Sequence, residues 1–528
     1  MPLLNSLSLK IKNFRISANK LFLVVYLICF FSYSYNKILF YRPDSIHQWR
    51  NCICAAFALN YYHNANFLEC KTNGLLADDR TSDVTLVEFP IVYYFVSILY
   101  RIFGPQEFLF RLVNILISYL GLFYLFKTGL LLLKDRIYAL VLPLVVFTST
   151  IYAFYTNNFI PDPTSLSVSF IGVYFFFKYY NDRIVKNWYI AMLFFLLAGL
   201  IKTPSLLFYF ALGGIVVVEL LFKKNKEKSI DLNWKVILSY LGVIVVLVGW
   251  YAFAKIYSAD HGGSVSEVEI RPVWALSVDS VVEIWHRIIH RWFKGGAYRA
   301  TWFLYLSFIL FIGNIVLFKF YKRTFTLISI LLFVGAAGFT VFFFRSMYQH
   351  DYYQTGNLII IPVIFLSFLL MIKDHLPKVY HSAVSKSVLV LILVFLIFHC
   401  VKEMNYRYSN DDRQFFSSNQ RVNSYGKITP YLRSLGIKRT DKVYSTPDGS
   451  INITLYLMDQ KGFTDFFMEK VEFKDWLELF KEKGMQYVVL GDRSHLQHVE
   501  NPDSLLGDKI GEFGNIEIYK QIKSSSEN

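Results

Sequence analysis

The sequence predicts a polytopic α-helical membrane protein of about eleven transmembrane helices, with a small extracytoplasmic α/β domain at its C-terminus. Hydrophobic residues make up 55% of the 528-residue chain and charged residues only 18%, with a mean hydropathy of +0.38. Soluble domains are about a quarter charged. Apolar runs recur from residue 21 to residue 402, and the remainder is far more polar. These observations exclude an ordinary soluble protein and a disordered chain.

The formal net charge of +15 does not indicate a nucleic-acid partner. The basic residues stand in short clusters between apolar runs, as in the cytoplasmic loops of membrane proteins, and they do not form one face. We therefore expect membrane lipids, and no nucleic acid, as partners.

A transmembrane helix needs about 20 mostly apolar residues. The first such run follows a basic cluster, Lys10, Lys12, Arg15 and Lys20, which places the N-terminus in the cytoplasm. No small-residue cleavage site follows, so we expect an uncleaved first helix. The predicted spans are 21–40, 109–133, 137–155, 164–181, 187–203, 204–222, 234–256, 301–320, 324–344, 355–372 and 386–402.

The apolar segment 89–103 is short and carries Arg101, so it is predicted to form a helix in the membrane interface. If 89–103 does not cross the membrane, every cytoplasmic loop is basic. If it crossed, each later loop would lie on the opposite side and the basic loops would be outside. We accordingly predict a multi-pass protein of the plasma (inner) membrane. The cytoplasmic groups are Lys134/Arg136, Arg183/Lys186, Lys223/Lys224/Lys226/Lys228, Lys322/Arg323 and Lys373/Lys378.

The membrane domain is predicted to occupy 1–402 and the extracytoplasmic domain 403–528. The outer stretches of the membrane domain are a long first outer loop, 41–108, and the segments 156–163, 257–300 and 345–354. In the tail, residue patterns predict strand, helix, helix, strand and strand. These elements are Lys442–Thr446, Ser450–Met458, Phe473–Lys483, Gln486–Leu490 and Ile516–Gln521.

The five cysteines predict no disulfide framework. Cys29 and Cys400 lie in apolar runs, where a thiol packs as a small hydrophobe. Cys52, Cys54 and Cys70 share the first outer loop. A disulfide between Cys54 and Cys70 is one alternative, but it would leave Cys52 as an unpaired thiol. The cysteines do not have a standard zinc-site spacing. We favour three unrelated thiols.

Ionisable residues collect at the outer ends of the spans. The orientation set by the loop cations places six of them on one membrane face: Asp44, Glu88, Asp162, Lys202, His350 and Asp351. Each alone has an ordinary explanation, because Asp162 fits a helix N-terminus and Asp44 a solvated loop. Ionisable groups at a membrane edge are costly when desolvated. Six groups of both signs on one face therefore indicate a functional site.

Carboxylates beside cations at the outer leaflet fit sugar transfer from a polyprenyl-phosphate donor. The lipid of such a donor lies in the bilayer and its phosphate lies at the interface. A carboxylate takes the proton of an acceptor hydroxyl as the hydroxyl attacks the anomeric carbon. The leaving phosphate needs positive charge, which Lys, Arg, His or a bound divalent metal supplies.

In these motifs the chain resembles the GT-C glycosyltransferases. Within them it is similar to the bacterial family 39-like enzymes, relatives of protein O-mannosyltransferases and of the lipid A aminoarabinose transferase. The ordered set runs from about residue 41 to 360, and the tail matches no known motif. The matching pieces are HQWR (47–50), ALNYY (58–62), EFPIVYY (88–94), FG (103–104), FRLVN (110–114), NNFIPDP (157–163), GLIKTP (199–204) and HDYY (350–353).

The resemblance implies transfer from a polyprenyl-phosphate-sugar donor to an extracytoplasmic glycan, lipid or protein. It implies two catalytic carboxylates, Asp44 as the general base and Asp162. Donor-phosphate contacts are expected from Arg50, Lys202 and His350. Residues that orient the acceptor or a divalent metal are expected to be Glu88, Asp351 and Tyr352, with Glu88 as the metal ligand.

One departure from the family pattern bears on the base. Close relatives carry an acidic residue just after the Trp-Arg pair, where this chain reads Asn51-Cys52-Ile53-Cys54. The base is therefore Asp44, directly after the first span, or else Glu88.

Two other functions stay open on the sequence. A transporter or a flippase for lipid-linked saccharides tends to carry charges near the bilayer midplane and to show paired halves, and this chain shows neither. A catalytically degenerate family member would fit the missing acid near residue 53.

Overall fold

The computed structural model describes residues 17–64, 66–75, 81–86, 88–222, 229–262, 272–290, 299–318, 322–409, 424–466 and 472–521. The predicted basic flank at 10–15 and the cytoplasmic cluster at 223–228 lie outside these ranges. Up to residue 409 the longer elements are helices: Ala18–Ser32, Gln48–His63, Ile91–Phe103, Glu107–Leu133, Arg136–Phe147, Thr150–Thr156, Asp162–Asp182, Val185–Ile201, Leu207–Leu221, Trp234–Asp260, Val278–Ile289, Arg299–Phe318, Arg323–Phe342, Ile360–His375 and Ala383–Ser409. Shorter helical turns are Tyr35–Ile38, Thr203–Leu206, Val273–Ala275, Ser346–Gln349, Asp351–Ile359 and Pro377–His381.

Each predicted span falls on helical structure, although the span 137–155 is divided between two helices and the span 21–40 between the helix Ala18–Ser32 and the turn Tyr35–Ile38. Within the described ranges, six helices are long and apolar enough to cross a membrane, and a bent pair makes a seventh if it counts as one span. Ala18–Ser32, Val185–Ile201 and Trp302–Val316 are shorter apolar helices, and Asp162–Asp182 is long but more polar. The helical membrane fold is confirmed, and the number of eleven crossings stays a prediction.

The bent pair joins Arg136–Phe147 to Thr150–Thr156 at an angle of 75°. Pro143 lies inside the first helix and removes one backbone donor. At the break, the hydroxyls of Thr148 and Ser149 donate to carbonyls one turn earlier, at 2.7 and 2.9 Å. The Leu144 carbonyl also accepts from the Thr148 N–H, whereas the Ser149 N–H donates to Val146, so at the bend the Ser149 hydroxyl supplies a donor for the Val145 carbonyl. The second helix then brings the chain to the turn before the next helix.

The segment predicted as an interfacial helix is a helix of 13 residues, Ile91–Phe103. Tyr93 and Tyr100 are buried on its inner face, whereas Phe95 and Ile102 are exposed on the other. An exposed apolar face beside a membrane domain fits contact with lipid. Its position in the interface stays a prediction.

The C-terminal domain contains one five-stranded sheet in the order β2-β1-β3-β5-β4. Its strands are β1 (Lys442–Thr446), β2 (Lys461–Thr464), β3 (Met485–Leu490), β4 (Asp508–Phe513) and β5 (Ile516–Lys520). β1 is parallel to β2 and β3, and β5 is antiparallel to β3 and β4. The domain's helices are Thr429–Ser434, Ile453–Leu457, Phe473–Glu482, Arg493–Leu496 and Pro502–Leu506.

The three predicted strands are confirmed, and two strands were not predicted. β2 has only four residues, too few for an alternating pattern. β4 is an edge strand, and no residue in it is fully buried, so it lacks the apolar alternation that marks a half-buried strand.

The C-terminal domain packs on the first outer loop. Gly74 forms a bridge with Gly462 of β2, and the Leu75 N–H donates to the Gly462 carbonyl at 2.9 Å. Arg42 donates to the Leu457 carbonyl at 3.0 Å. The loop and the domain therefore lie on the same side of the membrane.

Two segments on the same side must be separated by an even number of crossings. The ten predicted spans after the first satisfy this condition, and an additional crossing at 89–103 would break it. The contact thus supports the interfacial interpretation of 89–103. The last long helix extends to Ser409, so the predicted domain boundary at 402 falls inside this helix.

Cysteine labelling tests the shared side. Asn66 in the first outer loop and Glu500 in the C-terminal domain are exposed, and all five native cysteines are buried. An impermeant maleimide should label Asn66→Cys and Glu500→Cys from one side of the membrane, and the control Arg183→Cys from the other. Labelling of the first two positions from opposite sides would contradict the docked arrangement.

Candidate active site

Glu88 stands between two cations in a group that we call the Glu88 cluster (Glu88, Arg50, Lys202 and Tyr93). Its Oε1 accepts from Arg50 Nη2 at 2.8 Å and from the Lys202 ammonium. Its Oε2 accepts from the Tyr93 hydroxyl at 2.9 Å. The four side chains come from the helix Gln48–His63, the end of the first outer loop, the helix Ile91–Phe103 and the turn after Val185–Ile201.

The Glu88 cluster is a desolvated ionic group. The side chains of Glu88, Lys202 and Arg50 are 8%, 12% and 23% exposed. Burial alone would raise the pKa of Glu88, but the charges of Lys202 and Arg50 outweigh it and lower the pKa to about 2. Glu88 is therefore ionised at neutral pH, and the cluster carries one excess positive charge.

Asp162 adds a second carboxylate beside these cations. It is the first residue of the helix Asp162–Asp182 and is 4% exposed. It interacts electrostatically with Lys202, Glu88 and Arg50. Its Oδ2 is buried and has no hydrogen-bond partner among the described residues. A buried carboxylate oxygen without a partner is rare and calls for a functional explanation.

Asp351 is the centre of another group, the Asp351 cluster (Asp351, Arg407, His47 and Tyr155). Its Oδ2 accepts from Arg407 Nη2 at 2.8 Å, and its Oδ1 lies 3.1 Å from His47 Nε2. Oδ1 also accepts from the Tyr155 hydroxyl. This cluster connects the first outer loop, the bent pair and the last long helix.

His350 and Tyr352 lie beside both clusters. The His47 ring is 5.5 Å from the His350 ring and 5.0 Å from the Tyr352 ring, measured between centroids. Tyr352 interacts electrostatically with Arg50 and Asp162. Seven of the eight predicted site residues therefore lie in these two clusters or beside them: Arg50, Glu88, Asp162, Lys202, His350, Asp351 and Tyr352.

His350 differs from the charged phosphate ligand that the sequence suggests. Burial, together with the charge of His47, lowers the pKa of His350 to about 3. The imidazole is therefore neutral at physiological pH. A neutral imidazole still donates one hydrogen bond to a phosphate oxygen, so contact between His350 and the donor phosphate stays a prediction. A neutral His350 does not attract the phosphate by charge.

The surroundings of Asp44 differ from those of the residues in the Glu88 and Asp351 clusters. Asp44 is half-buried, and its Oδ1 accepts from the Ser45 N–H at 2.6 Å. It interacts electrostatically with the buried Arg111. Ser45 and His47 both have left-handed backbone, with φ of +68° and +61°. This tight turn lies between Asp44 and the start of the helix Gln48–His63, which carries Arg50.

Sequence reasoning gave no role to four of the residues that hold these groups. Tyr93 and His47 occur in the matching motifs, but in those motifs roles were assigned only to Glu88 and Arg50. Tyr155 lies two residues before the NNFIPDP turn. Arg407 was placed in the polar tail, although it lies at the end of the last long helix and is 1% exposed.

The described residues do not fit a divalent metal at Glu88. Both Glu88 oxygens are engaged, and two cations already neutralise the carboxylate. No group of three His, Cys, Asp or Glu side chains in the described ranges has metal-site geometry. The five cysteines are free thiols, as the sequence favours.

Comparisons with known proteins agree with this architecture. A family model described as dolichyl-phosphate-mannose-protein mannosyltransferase matches residues 87–251. No curated protein matches the chain. Among solved structures, ArnT from Cupriavidus metallidurans in the apo state is similar over 95% of this chain and 97% of that chain, with 12% identity and a TM-score of 0.59.

Two further structures have the same architecture. ArnT from the same organism bound to undecaprenyl phosphate covers 96% of this chain and 98% of its own, with 11% identity and a TM-score of 0.58. The arabinofuranosyltransferase AftD from Mycobacteria covers 96% of this chain and 40% of its own, with 10% identity and a TM-score of 0.51. At these identities the likeness shows the fold.

The fold and the site together define the class. The chain is a multi-pass membrane protein of the GT-C fold, and the predicted resemblance to GT-C glycosyltransferases is confirmed. The family model described as dolichyl-phosphate-mannose-protein mannosyltransferase matches less than a third of the chain, within the membrane domain.

Proposed function

We propose that the protein transfers a sugar from a polyprenyl-phosphate donor to an acceptor hydroxyl on the extracytoplasmic side of the membrane. One observation carries the proposal: Arg50 and Lys202 converge on one Glu88 oxygen, with the buried Asp162 carboxylate next to them. Cations beside a carboxylate at a membrane edge fit a phosphate leaving group and a proton acceptor. The similar ArnT structure bound to undecaprenyl phosphate supports a donor of this kind.

The two cations stabilise the leaving phosphate. As the acceptor oxygen bonds to the anomeric carbon, the bond from that carbon to the phosphate oxygen breaks and its electron pair leaves with the polyprenyl phosphate. Arg50 and Lys202 compensate the charge that develops there. Glu88 keeps both cations in place before the donor binds, so little reorganisation is needed during the reaction.

The proton of the acceptor hydroxyl must pass to a carboxylate. We assign this step to Asp162, because its buried Oδ2 lacks a partner among the described residues while it lies beside Lys202 and Arg50. Asp44, which the sequence ranks first, is half-buried and bonded to its own loop. We propose that Asp44 orients the acceptor.

The C-terminal domain is proposed to form part of the acceptor side of the site. Trp49, adjacent to Arg50, packs edge-on against Phe466 with ring centroids 5.1 Å apart. Helix Ile453–Leu457 of the domain packs on the helix Gln48–His63. The acceptor is then a glycan, a lipid or a protein that reaches the site beside this domain.

Binding of undecaprenyl phosphate to the purified protein in lipid nanodiscs tests the phosphate site. A charge-assisted hydrogen bond contributes about 1.5–3 kcal/mol, so Arg50→Gln and Lys202→Gln should each raise the Kd about tenfold or more. The control is Arg101→Gln, an exposed arginine that contacts the Tyr61 carbonyl in the first outer loop. Equal Kd values for all four proteins would contradict the proposal.

A further inference from the structure

The FRLVN motif (110–114) has no role in the proposed reaction, yet its polar residues are among the most buried in the protein. The motif forms the first turns of the helix Glu107–Leu133. Arg111 is 1% exposed and Asn114 is fully buried. A buried arginine is costly unless its donors are satisfied, so its partners indicate what it is for.

The Arg111 guanidinium bridges two segments that are far apart in sequence. Its Nε and Nη2 donate to the carbonyls of Tyr41 and Arg42, both at 3.2 Å. Its Nη1 donates to the carbonyl of Asn157. The first two carbonyls lie three and two residues before Asp44, and the third lies in the turn that leads to Asp162.

Asn114 fixes the same turn from one helical turn further along. Its Nδ2 donates to the Asn158 carbonyl at 2.7 Å, and its Oδ1 accepts from the Thr164 hydroxyl at 2.8 Å. These two contacts lie on either side of Asp162 in the chain. The Arg111 guanidinium also lies 4.5 Å from the centroid of the Phe159 ring, in the same turn.

We infer that Arg111 is a positioning residue that sets the separation of the two candidate carboxylates, Asp44 and Asp162, and that Asn114 locks Asp162. The inference rests on the proposed function for its catalytic consequence. The planar guanidinium presents five donors in fixed directions, so one side chain bonds to both segments at once. A lysine ammonium lacks this fork and cannot hold both segments in the same geometry.

The expected effect on catalysis follows from the distance between the candidate carboxylates Asp44 and Asp162. A misplacement of about 1 Å in a reacting group costs about 100-fold in rate. Arg111→Gln and Arg111→Lys should therefore lower kcat about 100-fold. The Kd for undecaprenyl phosphate should change less than about twofold, because Arg50 and Lys202 are held by Glu88 and not by Arg111.

Hydrogen exchange of the purified protein gives a readout that needs no substrate. In Arg111→Gln, peptides covering 41–47 and 157–164 should exchange faster together, while peptides covering 351–359 should not change. Asn114→Ser should affect 157–164 alone. Arg101→Gln, which changes an exposed arginine bonded to another part of the loop, should affect neither segment.

The outcomes separate this inference from the proposed function. Faster exchange in only one of the two segments, a uniform rise along the chain, or a kcat for Arg111→Gln within about twofold of wild type would overturn the inference. If Arg111→Gln does not fold, the exchange of Asn114→Ser tests the inference instead. Unchanged hydrogen exchange in peptides covering 157–164 of that variant would overturn the inference. A wild-type protein that neither binds undecaprenyl phosphate nor transfers sugar refutes the proposed function, and the exchange result still decides the positioning role.

Discussion

Replacing Glu88 by Gln is expected to destabilise the folded protein by about 3–5 kcal/mol, since removal of one partner leaves buried charge without compensation. Arg50 and Lys202 would then lose the carboxylate that pairs with both, and the nearby Asp162 makes no ion pair with them within 4 Å. Thermal unfolding in detergent micelles measures the effect. Glu88→Gln combined with Lys202→Met should recover part of the loss, because one of the two like charges is removed.

The matched control for this substitution is Glu107→Gln. Glu107 pairs with Arg42 at 2.9 Å, and these side chains, at 23% and 30% exposed, are both more exposed than Glu88 and Lys202. A pair of this kind contributes about 1 kcal/mol or less. Equal destabilisation by Glu88→Gln and Glu107→Gln would contradict the account of the Glu88 cluster.

The pH dependence of this effect has a defined sign. The pKa of Glu88 is lowered from 4.5 to about 2, so the stability from ionised Glu88 is fully present above about pH 4.5 and is lost as the pH falls towards 2. The difference in stability between wild type and Glu88→Gln should be constant from about pH 6 to 8 and shrink below about pH 4. A marked change between pH 6 and 8 would count against the assignment.

Asp162→Asn is expected to reduce sugar transfer by a factor of about 100 to 10,000, the range typical for loss of a general base. The amide has nearly the same shape, and no ion pair to Asp162 within 4 Å occurs among the described residues. The protein should therefore fold and still bind undecaprenyl phosphate. Steady-state transfer by purified protein measures the change in kcat.

Asp44→Asn distinguishes the two assignments of the base. If Asp162 accepts the proton, Asp44→Asn should chiefly raise the KM for the acceptor and lower kcat less than Asp162→Asn does. The reverse order would return the base role to Asp44. Full transfer activity in both variants would end the assignment of either carboxylate to catalysis.

Hydropathy and loop charge predicted the membrane fold and the common face of the site. Apolar runs mark helices because a helix in lipid must satisfy its own backbone groups, and basic loops set a consistent orientation. That orientation placed Glu88 with Lys202, and these residues form an ion pair. The even number of crossings required by the docked C-terminal domain agrees with the predicted series of spans.

The partners of each residue could not be predicted in the same way. Nothing local in the sequence indicates that Arg407 bonds to Asp351, because the two residues meet only through packing of helices. The neutral state of His350 depends on burial and on His47, which the sequence does not reveal. The sequence also does not reveal that Arg50 and Lys202 both bond to Oε1 of Glu88 while Tyr93 bonds to Oε2, which leaves the carboxylate little room for the expected metal.

The central claim is that this membrane site moves a sugar from a lipid carrier. Mass spectrometry of envelope lipids and glycans tests it most directly, comparing cells with the wild-type protein, cells without it and cells with Asp162→Asn. We predict that one glycoconjugate loses a sugar and a polyprenyl-phosphate-sugar accumulates, both in the absence of the protein and in the Asp162→Asn cells. Identical lipid and glycan profiles in all three would contradict the claim.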